Sequence, residues 1–312
     1  MALKAKKPEV KEKRLKMLVF GPAGVGKTMG AIQFPQSYII DTEKGTDFYA
    51  GTISKNKSVV LQTLNPDEIK EELRELLTTK HPYKTLIIDP ITQVYNSVQE
   101  KWTRVFEKYA KSEKEEEMQD FGMRYWGKVK GDFKGLQRSM LALDMNVIVT
   151  SHQKDVYGNG FSKIGVTFDS MKGDDYLFDL VFQVERRNGD LIARTIKERA
   201  DLGKSRFPKE FVWSYENFCK YYGKEIIEKE TTPVIMATEE QIQRVNKLIA
   251  IVKVDNDTVN KWFLKADVDS FEEMSGEQIQ KVIEFLEKKV EPLLEKDEEK
   301  MNENAKTGKE KK

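Results

Sequence analysis

The chain has 312 residues, 39% of them hydrophobic and 34% charged, with 53 Lys and Arg against 52 Asp and Glu and a net charge of +1. That length accommodates one large domain and a smaller one, and the charge balance advertises no global field for nucleic acid. A single cysteine, Cys219, excludes an internal disulfide and fits a reducing, cytoplasmic setting; two histidines beside it argue against structural zinc, and no apolar stretch approaches a membrane span or a signal core.

Residues 1–15 read as a basic, solvated tail, with only Glu9 and Glu12 opposing the cations. The apolar run Met17-Leu18-Val19-Phe20 reads as a buried strand and leads into Gly21-Pro22-Ala23-Gly24-Val25-Gly26-Lys27-Thr28. A short helix-compatible stretch follows, ended by Pro35. Strand, glycine loop and helix are the context in which G-x-x-x-x-G-K-T is a phosphate-binding loop. Glycines let consecutive backbone N–H groups point inward at phosphate oxygens, and the helix N-terminus adds partial positive charge.

Further strands are expected at Ser37–Asp41, Val59–Leu61 and Thr85–Asp89, with a helix from Pro66 to Leu77 capped by Asn65. Strands alternating with helices argue for an α/β domain with a mostly parallel sheet. Ile91 to Ala110 has the pattern of a long helix, 111–120 reads as a solvated charge run, and helical periodicity returns from Tyr125 to Leu143. After a core strand at Met145–Thr150, Ser151 to Met171 reads as a long loop. Apolar runs at 180–184 and 191–196 flank Asn188-Gly189, a hairpin signal. An aromatic-rich stretch from Pro208 to Ile227 closes a domain spanning 16–228. A linker at 229–237 then precedes a small helical module at 238–292, which opens on the capping box Thr238-Glu239-Glu240-Gln241, and a charged tail at 293–312 reads as disordered.

The chemistry gathers around the glycine loop. Lys27 is placed to reach the β- and γ-phosphates of a bound nucleotide, and the Thr28 hydroxyl to bind Mg²⁺. Asp89, ending a buried strand expected next to the loop's own strand, supplies a second metal-side oxygen; its bland alternative is a cap for the following helix. Pro90 closes the option of a Glu directly after that Asp. Glu43, after the strand that follows the loop, is the carboxylate left to orient or deprotonate water, on the argument that ligands gather at the carboxyl ends of parallel strands.

On these residues the stretch 16–200 resembles the RecA-type recombinase ATPases. Tyr38-Ile39-Ile40-Asp41-Thr42-Glu43-Lys44-Gly45 is similar to the segment whose glutamate activates water there, which implies that role for Glu43. Leu86-Ile87-Ile88-Asp89 resembles their Mg²⁺-site strand, and Val147 to Gln153 the strand whose glutamine senses the γ-phosphate. Gln153 matches by residue type and His152 by spacing. Lys197-Glu198-Arg199 resembles a Lys-x-Arg element that reaches a neighbouring subunit's phosphates, implying self-association with the site at a subunit interface. The chain also resembles compact phage proteins of this class, nucleotide-binding or AAA-type, some of them single-strand annealing recombinases. Only about fifteen residues precede the first strand, so no counterpart is expected of the segment by which recombinases hook onto the next subunit.

The resemblance implies a RecA-like core that binds ATP with Mg²⁺ and acts on single-stranded DNA in recombination or replication. Lys154, Tyr157, Phe161 and Lys163 are its DNA candidates, pairing cations for phosphates with aromatics for stacking; a plain surface loop is the alternative. The helical module is a candidate dock for phage or host replication and recombination proteins. Two rival functions stay open: a nucleotide-dependent adaptor such as a helicase loader, and a P-loop kinase.

Overall fold

The computed structural model describes residues 13–110, 115–158, 162–199, 205–266 and 268–290. The chain divides into two compact units, 1–233 and 234–312. The first is built on a nine-stranded sheet: β1 (Lys16–Gly21), β2 (Ser37–Asp41), β3 (Val59–Gln62), β4 (Thr85–Asp89), β5 (Asn146–Tyr157), β6 (Lys163–Phe168), β7 (Leu180–Arg187), β8 (Asp190–Glu198) and β9 (Glu210–Val212). Its order is β3-β2-β4-β5-β1-β7-β8-β9, with β6 paired to β5 alone. The six strands from β3 to β7 are parallel, whereas β8, β9 and β6 join antiparallel.

Both faces of the parallel part are covered, so its strands are continuous apolar runs. The pleat divides them. Leu18, Phe20, Ile40, Leu86, Ile88, Val147 and Val149 face one core. That core is completed by α3 (Pro66–Thr78), α4 (Ile91–Ala110) and α5 (Glu115–Ala142). Met17, Val19, Ile39, Ile87 and Ile148 face the other. There they meet α1 (Lys27–Ala31), α2 (Ala50–Lys55) and an aromatic group of Phe182, Phe207, Phe211, Trp213 and Phe218. Phe218 belongs to α6 (Tyr215–Tyr222), and α7 (Lys224–Ile227) seals this layer with Ile227. The result is an α/β fold with a mostly parallel sheet and flanking helices.

Local signals are met in detail. Asn65 caps α3 by accepting from the Asp67 N–H at 3.0 Å. Asn188 and Gly189 both take positive φ at the β7–β8 turn, as a two-residue hairpin requires.

Three expectations are corrected. The strand of Asp89 is not next to β1, because β5 lies between them, and β2 lies one strand further out. Helix α5 starts at Glu115, inside the charge run; Glu, Gln and Met are good helix formers, and acidic residues suit a helix N-terminus. Residues 111–114 lie outside the described residues. Finally, the stretch 151–171 is not a loop. β5 runs on to Tyr157 and folds back through β6, with Gln153 opposite Phe168 and Tyr157 opposite Lys163. Val156, Ile164, Val166 and Phe168, spaced around Gly158-Asn159-Gly160, carried that hairpin pattern. Phe161 lies outside the described residues.

The second unit holds α8 (Glu239–Val252), α9 (Asn256–Ala266) and α10 (276–290) around Val245, Leu248, Phe271, Met274, Ile279, Ile283 and Leu286. The Thr238–Gln241 capping box is formed in both directions. Among the described residues no helix is long and apolar enough to cross a membrane.

Candidate functional site

The glycine loop bends out of β1 and into α1. Gly24 and Gly26 take φ of 73° and 89°, conformations that side chains rarely adopt, and a Cβ on Gly26 would also run into Leu191 at 2.8 Å. Gly30 lets α1 lie on Trp213: a Cβ there would fall 1.6 Å from the indole nitrogen. Lys27 Nζ donates to the carbonyls of Gly21 (2.9 Å) and Pro22 (2.8 Å), so its ammonium lies across the mouth of the loop. Burial pushes Lys27 below the ordinary lysine value, and the carboxylates of Asp89 and Glu43 pull it back. Two strands that are not neighbours of β1 thus bring their carboxylates to this ammonium.

Asp89 is buried at the end of β4 and accepts from Thr150 of β5. Burial pushes its carboxyl above the usual range; hydrogen bonds from Thr150 and Thr28 act against that shift, nearby Asp41 adds to it, and Lys27 opposes it. A desolvated carboxylate beside the Thr28 hydroxyl is a hard, all-oxygen donor pair that suits Mg²⁺. Among the described residues no three His, Cys, Asp or Glu side chains cluster as a metal cage. A magnesium ion shared with phosphate oxygens needs none, since it keeps several waters and takes one or two protein ligands.

Glu43 is held in two stages. Asp41, almost wholly buried, accepts from the backbone N–H groups of Glu43 (3.1 Å), Gly45 (3.2 Å) and Thr46 (2.9 Å), which fixes the loop after β2. Thr42 ties that loop to β4, its N–H reaching the Asp89 carbonyl at 2.9 Å and its hydroxyl the Pro90 carbonyl at 3.0 Å. The side chain of Glu43 then meets His152 Nε2 at 3.0 Å and Gln93 Nε2 at 2.7 Å, both on Oε1.

The two sensor candidates separate here. His152 turns to Glu43, whereas Gln153, its neighbour on the pleat, accepts from Gln183 of β7 at 3.3 Å. Thr92 links this region to the β5–β6 arm: its hydroxyl accepts from the His152 N–H (2.9 Å) and donates to the Asp169 carbonyl (2.7 Å).

The remaining candidates lie apart. Lys154 pairs with Asp169 at 3.1 Å and Lys163 with Asp155 at 2.7 Å, so the arm's cations are matched by its own carboxylates. Tyr157 is 59% exposed. Lys197 and Arg199 stand level with the start of β1, at the opposite end of the sheet from the glycine loop. Lys197 Nζ donates to the carbonyls of Asp175 and Phe178, and Arg199 pairs with Asp179 at 2.7 Å.

Asp41, Thr42, Thr92, Gln93 and Thr150 were not singled out from sequence. An Asp at a strand end followed four residues later by Gly was a usable signal for Asp41. The others act through contacts of about fifty residues' separation or more, which no local pattern carries.

A family profile described as an AAA domain matches residues 13–207, more than half of the chain. The chain belongs to that AAA-domain family, a class of P-loop nucleotide-binding proteins. Solved structures similar to it include a RadB recombinase, at 13% identity over 59% of this chain and 80% of that one, with a TM-score of 0.34. Another is the assembled ATPase EscN of the enteropathogenic E. coli type III secretion system, at 14% identity over 88% of this chain and 66% of that one, with a TM-score of 0.30. No curated protein matches.

Proposed function

We propose that the protein is a Mg²⁺-dependent ATPase that acts on single-stranded DNA in phage-type recombination or replication, as an annealing or strand-pairing factor. The observation that supports it is the convergence of Lys27, Thr28, Asp89 and Glu43 from three separate strand ends. In this reading the amides of Gly24 to Thr28 cradle the phosphates and Lys27 leaves its carbonyl partners to neutralise them. Thr28 and Asp89 would hold Mg²⁺, whose contribution is to screen charge on the transferring phosphoryl group. Glu43 accepts the proton of the attacking water; the water oxygen bonds to the γ-phosphorus as the bond to the β-phosphate oxygen breaks.

The DNA half rests on the arm, which continues the strand that carries His152 and presents Tyr157 to solvent. Lys197 and Arg199 lie back along the sheet from the end of β1, by about 10 Å and about 17 Å of strand rise, with their charged groups turned to partners there, so a phosphate role for them is a role toward a second copy. Steady-state ATP turnover with and without single-stranded DNA tests this reading. Stimulation is expected. ATP binding without turnover in either condition favours the adaptor, and phosphorylation of a nucleotide or other small molecule favours the kinase.

A further inference from the structure

We propose that Gln93, in the first turn of α4, is a positioning residue for Glu43, and that it acts together with His152. The inference rests on the reading of Glu43 as the group that activates water.

The loop after β2 fixes the backbone of Glu43 through Asp41, but not its side chain. That side chain is 41% exposed and has three torsions of its own. Two donors from two other elements supply what the loop does not. Gln93 Nε2 from α4 stands 2.7 Å from Oε1, and His152 Nε2 from β5 stands 3.0 Å from the same oxygen. Two donors arriving on one oxygen from different directions set both the position and the plane of the carboxylate. Oε2 has no protein partner among the described residues and is the oxygen left to accept from water.

The chemistry of the donor matters. An amide N–H orients a carboxylate while adding no formal charge beside it, so the oxygen facing water keeps its appetite for a proton. A lysine at this position would hold Glu43 equally well and compete with the water for its charge. The placement of both donors is common to one structural unit. Thr92, adjacent to Gln93, receives the N–H of His152 on its hydroxyl and donates to the Asp169 carbonyl at the base of the arm. The Asp169 N–H returns to the His152 carbonyl at 2.8 Å. The grip on Glu43 is therefore assembled from α4 and the root of the arm, and a shift of the arm's root moves one donor relative to the other.

The test compares Gln93→Ala, Glu43→Gln and the double variant in the full chain. Steady-state and single-turnover ATP hydrolysis are measured, together with the affinity for a non-hydrolysable ATP analogue. Gln93→Ala is expected to lower kcat by about tenfold, an order of magnitude suited to a loosened catalytic group. KM and analogue affinity should stay within about twofold, because Lys27 and Asp89 are untouched. In the Glu43→Gln background the same change should cost nothing further, since the group it positions is already disabled. Unchanged kcat in Gln93→Ala, or an equal loss with and without Glu43, overturns the proposal; the second result is what a merely structural role produces. Wild-type turnover by Glu43→Gln instead overturns the reading of Glu43, and this proposal with it.

Discussion

Asp41 uses both carboxylate oxygens on three of the five residues that follow it, Glu43, Gly45 and Thr46, and that is how a glutamate two positions away comes to be fixed after the end of a strand. Lys16 shows the same economy at the other end of the sheet. Its ammonium enters β1 almost buried and donates to the carbonyls of Leu143 (3.1 Å) and Met145 (3.0 Å). It is lowered to about 8, chiefly by burial; Arg14 also acts to lower it, while Asp144 and Asp179 act to raise it. Between pH 8 and the ordinary lysine value the unfolded chain binds the proton that the folded chain has released. Stability therefore rises with pH across that window, by up to ~3 kcal/mol for this one group. Denaturation of wild type and Lys16→Met at pH 7.5 and pH 10 checks the sign: the wild type should gain on the variant as pH rises, and a constant difference would contradict it. At this scale the sequence was informative where chemistry is local. The phosphate loop is complete within eight residues, Asp89 ends a run of apolar strand residues, and Glu43 follows such a run by two positions. Which of His152 and Gln153 turns to Glu43 was not legible, because neighbouring strand residues point to opposite faces of the sheet and the sequence does not say which face Glu43 meets.

Among the elements, the β5–β6 arm departs most from its expected form. Read as a loop, it offered Lys154 and Lys163 as free phosphate contacts; as a hairpin it places each beside an aspartate. A matched pair brings no net charge to a polyanion, so under the proposed DNA role the arm's contribution to a single strand would be stacking by Tyr157. Replacing Tyr157 with Ala should weaken single-stranded DNA binding by about 1–3 kcal/mol. Replacing Lys154 and Lys163 with Ala should leave the salt dependence of binding almost unchanged. Binding titrations at several salt concentrations distinguish the two, and a slope that falls with the lysines would return them to the interface. The α3 and α4 boundaries and the β7–β8 turn were readable, since caps and Asn-Gly turns are set by neighbours in sequence. The arm was misread because glycines within 158–165 masked an alternating pattern on both sides of the turn.

For the whole molecule, strand order decides the chemistry. Parallel strands separated by crossovers bring Gly21, Asp41, Asp89 and Ser151 to one edge of the sheet although 130 residues separate the first from the last. Class and sheet type follow from alternating elements; the order β2-β4-β5-β1 does not, and adjacency of the Asp89 strand to β1 was the error that resulted. The same order sends Lys197 and Arg199 to the far edge. There burial and the neighbouring Arg199 hold Lys197 below the ordinary lysine value, against the pull of Asp175 and Asp179. A role for them toward a second copy requires both to leave carbonyl and carboxylate partners in their own chain.

The central claim is that the loop's phosphates meet a water activated from β2. ATP binding and turnover of Glu43→Gln test it most directly. The variant should bind ATP with near-wild-type affinity, because the loop, Lys27, Thr28 and Asp89 are intact, and should hydrolyse it about 100-fold more slowly, within the range expected for loss of a general base. Turnover at the wild-type rate would contradict it.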